Sequence, residues 1–235
     1  MNYRNLATAS AVAIASLALA APASAQVNGI ATADRALAVA NTQALQTGFE
    51  QIATQNQAQL TSLGQLQQQQ QTIVRGLDTD GDGQLSEAEQ AAVPEATRQQ
   101  LGTLNQQIRA IEVPIQRARV YVVSQIGQQY APAVQQVIAD RSIQIMLAPD
   151  ALIYAPESAD VTSAITAAMN ARATSAQISP PADWQPSQGG VQLYQEIQQL
   201  IMYSAMQQQA AAAAQARQGQ QPQQQAPAPA QPTGR

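Results

Sequence analysis

Two stretches of the chain carry apolar residues at alternating steps of three and four. The first runs Phe49, Ile52, Asn56, Gln59, Leu63, Leu66, Gln70, Ile73 and Leu77, with Leu45 extending it upstream. The second runs Leu101, Leu104, Ile108, Ile111, Ile115, Ala118 and Val122, then drifts to steps of four at Ile126, Tyr130 and Val134. A three-four rhythm is a heptad seam, and steps of four are what a straighter helix requires. The first seam predicts one helix of about 35 residues, roughly 50 Å long at 1.5 Å per residue. A cluster of Gly and Asp separates the seams, so they are predicted to double back as an antiparallel hairpin over 36–141 and not to continue as one rod. Asn56, Gln59 and Gln70 would weaken the seam while fixing its register. Pro114 and Pro132 predict a kink or interruption in the second helix.

The period changes to two after the hairpin. Ile143, Ile145 and Leu147 alternate with Gln144 and Met146, a strand pattern. Pro149-Asp150-Ala151 supplies a turn, Leu152-Ile153-Tyr154 a second strand, and Asp160 an N-cap for a helix over the residues that follow. Residues 173–190, with Pro180, Pro181, Trp184 and Pro186, read as a linker. Val191, Leu193, Tyr194, Ile197, Leu200, Ile201 and Ala205 then form an apolar stripe at helical spacing. They predict an amphipathic helix over 191–217 that packs on its own body or a neighbour. The Pro/Gln/Ala mixture of 218–235 predicts disorder. The fold class is α+β, mostly α: a small β body with a long antiparallel helical hairpin.

Composition narrows the function. Of 235 residues, 44 are glutamine, and only 11% are charged and 3% aromatic, so thin layers of Leu, Ile, Val and Ala are expected in place of a thick core. The absence of His and Cys removes imidazole acid–base chemistry, thiol nucleophiles, zinc sites and disulfides. No nucleophile–base pair stands out, and no enzymatic activity is expected. All 11 basic residues are Arg and the net charge is −4, which makes nucleic acid a poor partner.

Residues 1–25 have the form of an export signal: Arg4, an apolar run from Leu6 to Ala21, and Ala23-Ser24-Ala25 as a small-residue cleavage site. The run is shorter than the ~20 residues of a transmembrane span. Cleavage is expected after Ala25. No Cys follows to carry a lipid, no later stretch could span a bilayer, and the periplasm is the expected compartment.

The most specific chemistry lies between the two seams. Residues 78–89 read Asp78-Thr79-Asp80-Gly81-Asp82-Gly83-Gln84-Leu85-Ser86-Glu87-Ala88-Glu89. They match the calcium loop D-x-[DN]-x-[DN]-G-x5-E at every defined position. Asp78, Asp80 and Asp82 would supply carboxylate oxygens and Gln84 its backbone carbonyl. Ser86 would act through a water, and Glu89 would close the shell with both oxygens. Five of the 15 acidic residues lie in these twelve positions; such a density is repulsive unless a cation offsets it. A calcium ion is therefore the expected cofactor. With no second loop and with Pro94 cutting the exiting helix short, it reads as a staple more than a sensor.

The segments flanking the hairpin carry a family resemblance. Upstream stand Gly29-Ile30-Ala31-Thr32-Ala33-Asp34 and Ala40-Asn41-Thr42-Gln43-Ala44-Leu45; downstream stand Ile143-Gln144-Ile145-Met146-Leu147-Ala148-Pro149-Asp150-Ala151-Leu152-Ile153-Tyr154-Ala155 and Asp160-Val161-Thr162. Their order, over roughly residues 28–172, resembles the Skp (OmpH-like) family of periplasmic outer-membrane-protein chaperones. The resemblance implies a domain over 26–172, a homotrimer whose strands form a shared body, and helical arms around a cavity. It also implies unfolded outer-membrane proteins as partners, held without ATP. The chain departs from the family in having no Lys and in carrying a calcium loop at the arm tip. An alternative reading is an envelope structural or tethering calcium protein without client binding.

Overall fold

The computed structural model describes residues 29–219. The expected export signal, and the expected tail beyond its first two residues, lie outside the described residues. Strand β1 (Ile30–Thr32) leads through Asp34 into α1 (Arg35–Ala40). The Asp34 carboxylate accepts from the Leu37 N–H at 2.8 Å and so caps the helix. Buried Thr42 then accepts from the Leu45 N–H to start α2 (Gln43–Gln55).

The first arm strand is two helices and not one. Asn56 leaves helical geometry (φ −108, ψ 20), its amide donates to the Ile52 carbonyl, and α3 (Gln57–Leu77) begins beyond it. The expected single rod is thus broken at the first polar seam position, where a side chain competes with the backbone for the same carbonyl. Gln59 is exposed and the neighbouring Leu60 turns inward in its place. The break shifts the face by one residue; Leu63, Leu66, Gln70, Ile73 and Leu77 are half-buried as the heptad predicts.

After the tip, α4 (Glu87–Ala92) and α5 (Glu95–Gly127) run back antiparallel to α3. Gln67 donates to Glu112 and Gln70, nearer the tip, to Asn105. Pro114 lies within α5 without ending it. Pro132 does mark an interruption: the chain pauses at Gln128–Gln129 and restarts as α6 (Tyr130–Arg141), with proline in the first turn where its missing N–H costs nothing. Ser142, in the left-handed region at φ 53, closes α6 and turns the chain into β2 (Ile145–Leu147).

β1 and β2 pair in parallel, Ile30 with Ile145, Ala31 with Met146 and Thr32 with Leu147. On the other side of β1, Thr32 bridges Asp160 and accepts from the Val161 N–H. The expected N-cap shifts by one residue: Val161 holds the cap position of α7 (Thr162–Arg172) without a side-chain bond, and the Asp160 carboxylate, one residue outside it, accepts from the Thr162 N–H. The expected strand at Leu152-Ile153-Tyr154 does not form. β1 already has a neighbour on each side, the segment that follows the Pro149–Ala151 turn does not return along the free edge of β2, and Ile153 stands fully exposed.

Residues 173–187 contain no regular element but are not free. Gln125 and Gln177 exchange two hydrogen bonds, and the Arg117 guanidinium donates to the carbonyls of Pro181, Ala182 and Trp184. The segment is strapped along α5 on residues about two helical turns apart. It delivers α8 (Gln188–Gly219), which crosses α5 where a glycine on each helix permits close approach. A Cβ on Gly190 would lie 2.5 Å from the Ser124 hydroxyl, and one on Gly127 would lie 2.9 Å from Leu193. Ile52, Val122, Val123, Ile126, Ile165, Met169, Leu193 and Ile197 make the core where α2, α5, α7 and α8 meet. Burying each such side chain contributes roughly 1.5–3 kcal/mol. Past Leu200, every α8 residue from Ile201 to Gln215 is exposed.

Candidate functional site

The arm tip folds as a turn organised by its own carboxylates. Asp78 accepts from the N–H groups of Gly81 (2.7 Å) and Gly83 (2.9 Å), Asp80 from Asp82, and Asp82 from Gln84. Gly81 and Gly83 take φ of +74 and +84, which side chains disfavour; this is the conformational freedom the motif needs there. These bonds hold Asp78, Asp80 and Asp82 side by side at the surface. One oxygen of each lies within 4.8 Å of the others. Three anions at that spacing repel by about 1 kcal/mol per pair even in water, so the arrangement favours any cation that can sit among them.

Glu89 is placed differently from the other three acids. One carboxylate oxygen accepts from the Thr79 N–H and hydroxyl, both at 2.6 Å, and the other accepts from the Ser86 N–H and hydroxyl at 2.9 and 2.8 Å. Ser86 in turn accepts from the Glu89 N–H, completing a capping box at the start of α4. Hydrogen bonds from Thr79 first and then from Ser86 lower the Glu89 pKa to about 2. The carboxylate is therefore charged and already oriented, closing the loop onto itself between its second and ninth positions. Thr79 is the participant the motif does not specify; its only sequence signal is a hydroxyl beside the first aspartate. Leu85 is half-buried, and Gln84 and Ser86 lie exposed at the turn.

A second feature is apolar. Ile145 is 51% exposed beside Ile30, and fully exposed Ile153 and Tyr154 follow on the chain. The outer edge of β2 has no strand partner among the described residues. The arm itself is polar outside: its exposed large hydrophobics are Val74 and Val113.

No family model matches the chain, and no curated protein does. One solved structure resembles it. This is a "putative outer membrane chaperone (OmpH-like)" from Caulobacter crescentus CB15, 20% identical, with a TM-score of 0.40 over 67% of this chain and 93% of that one. It is a distant likeness. Among the described residues, no helix is long and apolar enough to cross a membrane.

Proposed function

We propose that the protein is an ATP-independent periplasmic holdase of the Skp type, which shelters unfolded outer-membrane proteins between helical arms and carries a calcium ion at each arm tip. The observation that carries this reading is the pairing of Ile30–Thr32 with Ile145–Leu147. It gathers the two flanks of the hairpin into one body and leaves the arm to project. The residues that carry the family resemblance are those that build this junction. The open β2 edge, with Ile145, Ile153 and Tyr154 exposed beside it, is an incomplete body. Strand addition between copies would cover it, and a homotrimer follows from the resemblance. Export through residues 1–25 would place the assembly in the periplasm. No catalytic group is needed, because many weak contacts inside a cage suffice to hold a client.

At the tip, Asp78, Asp80 and Asp82 would hold calcium with the Gln84 carbonyl and a Ser86-bound water. Glu89 would complete the shell by exchanging its bonds from Thr79 and Ser86 for the ion. Hard oxygen donors in this number suit calcium, and an affinity on the order of 10⁻⁴–10⁻³ M, as in extracellular modules, is expected.

Purified protein should keep an unfolded outer-membrane barrel protein soluble at stoichiometric ratio without nucleotide. Unchanged aggregation at ample excess overturns the holdase reading. The polar exterior of the arm favours a second reading, a structural calcium protein that tethers one envelope component. That reading expects a stable complex with one component and no general suppression of aggregation.

A further inference from the structure

Helix α8 outlasts the body it packs on. Leu193, Tyr194 and Ile197 are buried where it lies against α1 and α5. That stripe continues past Leu200 as Ile201, Ser204 and Gln208 with nothing beneath it, and the exposed overhang from Ile201 to Gln215 is roughly 22 Å long at 1.5 Å per residue. A second stripe runs along the opposite side. Gln199, Tyr203, Met206, Ala210 and Ala213 recur at alternating steps of four and three, the rhythm of a helix-pairing seam, and Met202 flanks them. Met202, Tyr203 and Met206 are 62%, 63% and 61% exposed. No charged residue stands between Glu196 and Arg217. Helix faces left to water carry charge, so this overhang has the composition of a face with a partner.

From this face we infer that the α8 overhang pairs antiparallel, across a two-fold axis, with α8 of a second copy of this chain. The helix is complementary to its own reverse. With Met206 set opposite Ala210 of the second copy, Tyr203 falls opposite Ala213 and Gln199 opposite position 217. Each large side chain then meets an alanine, and the two helices approach closely. The ends match in charge as well. Arg217 of one copy comes within one helical turn of Glu196 of the other, and the two-fold axis makes this pair twice. Glu196 lies on the wall of a groove of about 780 Å³ between α8 and β2, which also holds Asp34 and Asp150 against a single cation, Arg35. Such a groove attracts the positive end of the second helix. A parallel pair would instead set Glu196 beside Glu196 and Arg217 beside Arg217. Helix α8 lies outside residues 26–172, where the family resemblance resides, so this pairing and the holdase reading stand or fall separately.

The chain has no cysteine, so introduced thiols report the register directly. Full-length chains carrying Met206→Cys, co-expressed with chains carrying Ala210→Cys, should form a disulfide-linked pair when treated with oxidised glutathione. Neither variant alone should do so, because like positions are offset by about 6 Å along the axis and their Cα atoms lie too far apart to bridge. Gln208→Cys, on the opposite side of the helix, should link to neither. In sedimentation, Arg217→Glu or Glu196→Arg should raise the concentration at which the mass doubles by about tenfold, since both symmetry-related pairs turn repulsive at once. Reversing both charges in one chain should restore it. The cysteine result decides the matter should Glu196→Arg, at a half-buried position, fail to fold. No linked pair in the mixed chains, equal linking through Gln208→Cys, or a folded double reversal that associates no better than the single ones overturns the inference. The first of these is the outcome expected if an unfolded client covers this face instead.

Discussion

Replacing Arg117 by methionine isolates what holds residues 173–187 against the arm. One guanidinium nitrogen donates to Pro181, Ala182 and Trp184 carbonyls at 2.9, 3.0 and 2.6 Å. A bond from a charged donor contributes about 1.5–3 kcal/mol when sheltered. Only the bond to Trp184 is partly buried here, so the three together are worth about 2 kcal/mol after discounting the exposed pair. The Arg117 guanidinium also lies 6.0 Å from the Trp184 ring, which packs edge-on against Tyr121 at 4.9 Å. Methionine keeps the stem and removes the donors, so about 2 kcal/mol is a 30-fold rise in the population of the released strap. Trp184 is the chain's one tryptophan and reports on this event alone. Arg117→Met should red-shift its emission and increase its quenching by acrylamide. Gln125→Ala, which cuts the two bonds to Gln177, should act in the same direction with a smaller effect. Unchanged quenching in both variants would refute the strap and return this segment to a free linker.

The remaining expectations concern the core, the tip and the open edge. Ile197 is wholly buried between α8 and the body; Ile197→Ala should cost about 2–5 kcal/mol in denaturant unfolding, and a loss below 1 kcal/mol would mean that α8 is not docked. In calcium-free protein, the depressed Glu89 pKa of about 2 means that loop closure is present above the ordinary carboxylate range and is lost as pH falls through 2. Carbon-13 NMR of the side-chain carboxyl should place its titration there, and a value near 4 would show that Thr79 and Ser86 do not hold it. Glu89→Gln should weaken calcium binding in calorimetry, whereas equal heats would remove this residue from the shell. Ile153→Asp, at a position already fully exposed in one chain, should leave subunit stability unchanged yet lower the native mass; an unchanged mass would exclude this patch from assembly.

Local sequence chemistry fixes the arm and says little about what the body does with it. The heptads place Leu63, Leu66, Leu104 and Ile108 inward because that decision needs only the helical period. The break at Asn56 was visible as a polar seam residue, but its consequence, rotation of the face from Gln59 to Leu60, depends on how one side chain bonds one carbonyl. The strand reading of Leu152-Ile153-Tyr154 failed for a different reason. Strand propensity is realised only where the chain is delivered to an edge; β1 is flanked by β2 and Asp160, and the chain after Pro149–Ala151 does not run back along β2. The strap was illegible because Arg117 and Gln125 find their partners more than 50 residues away. At the tip, the motif identified all the acids that gather and missed Thr79, whose role exists only once Glu89 folds back to it.

These particulars together set a gradient of cohesion along the arm. At its root the arm helices bury Ile52, Val122, Val123 and Ile126 fully. Halfway out, α3 has no fully buried residue, and the pairing with α5 rests on half-buried leucines and on exposed bonds such as Gln70 to Asn105. Beyond Leu104 towards the tip, α5 buries nothing completely, and Gly76 and Gly102 add no side chain to the seam. Exposed hydrogen bonds and thin apolar contact place such a segment at the low end of local stability. The most charged twelve residues of the chain sit at that weak end, so ion binding there would act on the element with least cohesion of its own. An ion bound only by the folded tip stabilises it by RT ln(1 + [L]/Kd), about 2.7 kcal/mol at a hundredfold excess over Kd. That gain is large against a fraying hairpin end and small against the core of α5, α7 and α8. A calcium-dependent change therefore belongs in the amide exchange of the outer arm, with the body's exchange unaffected.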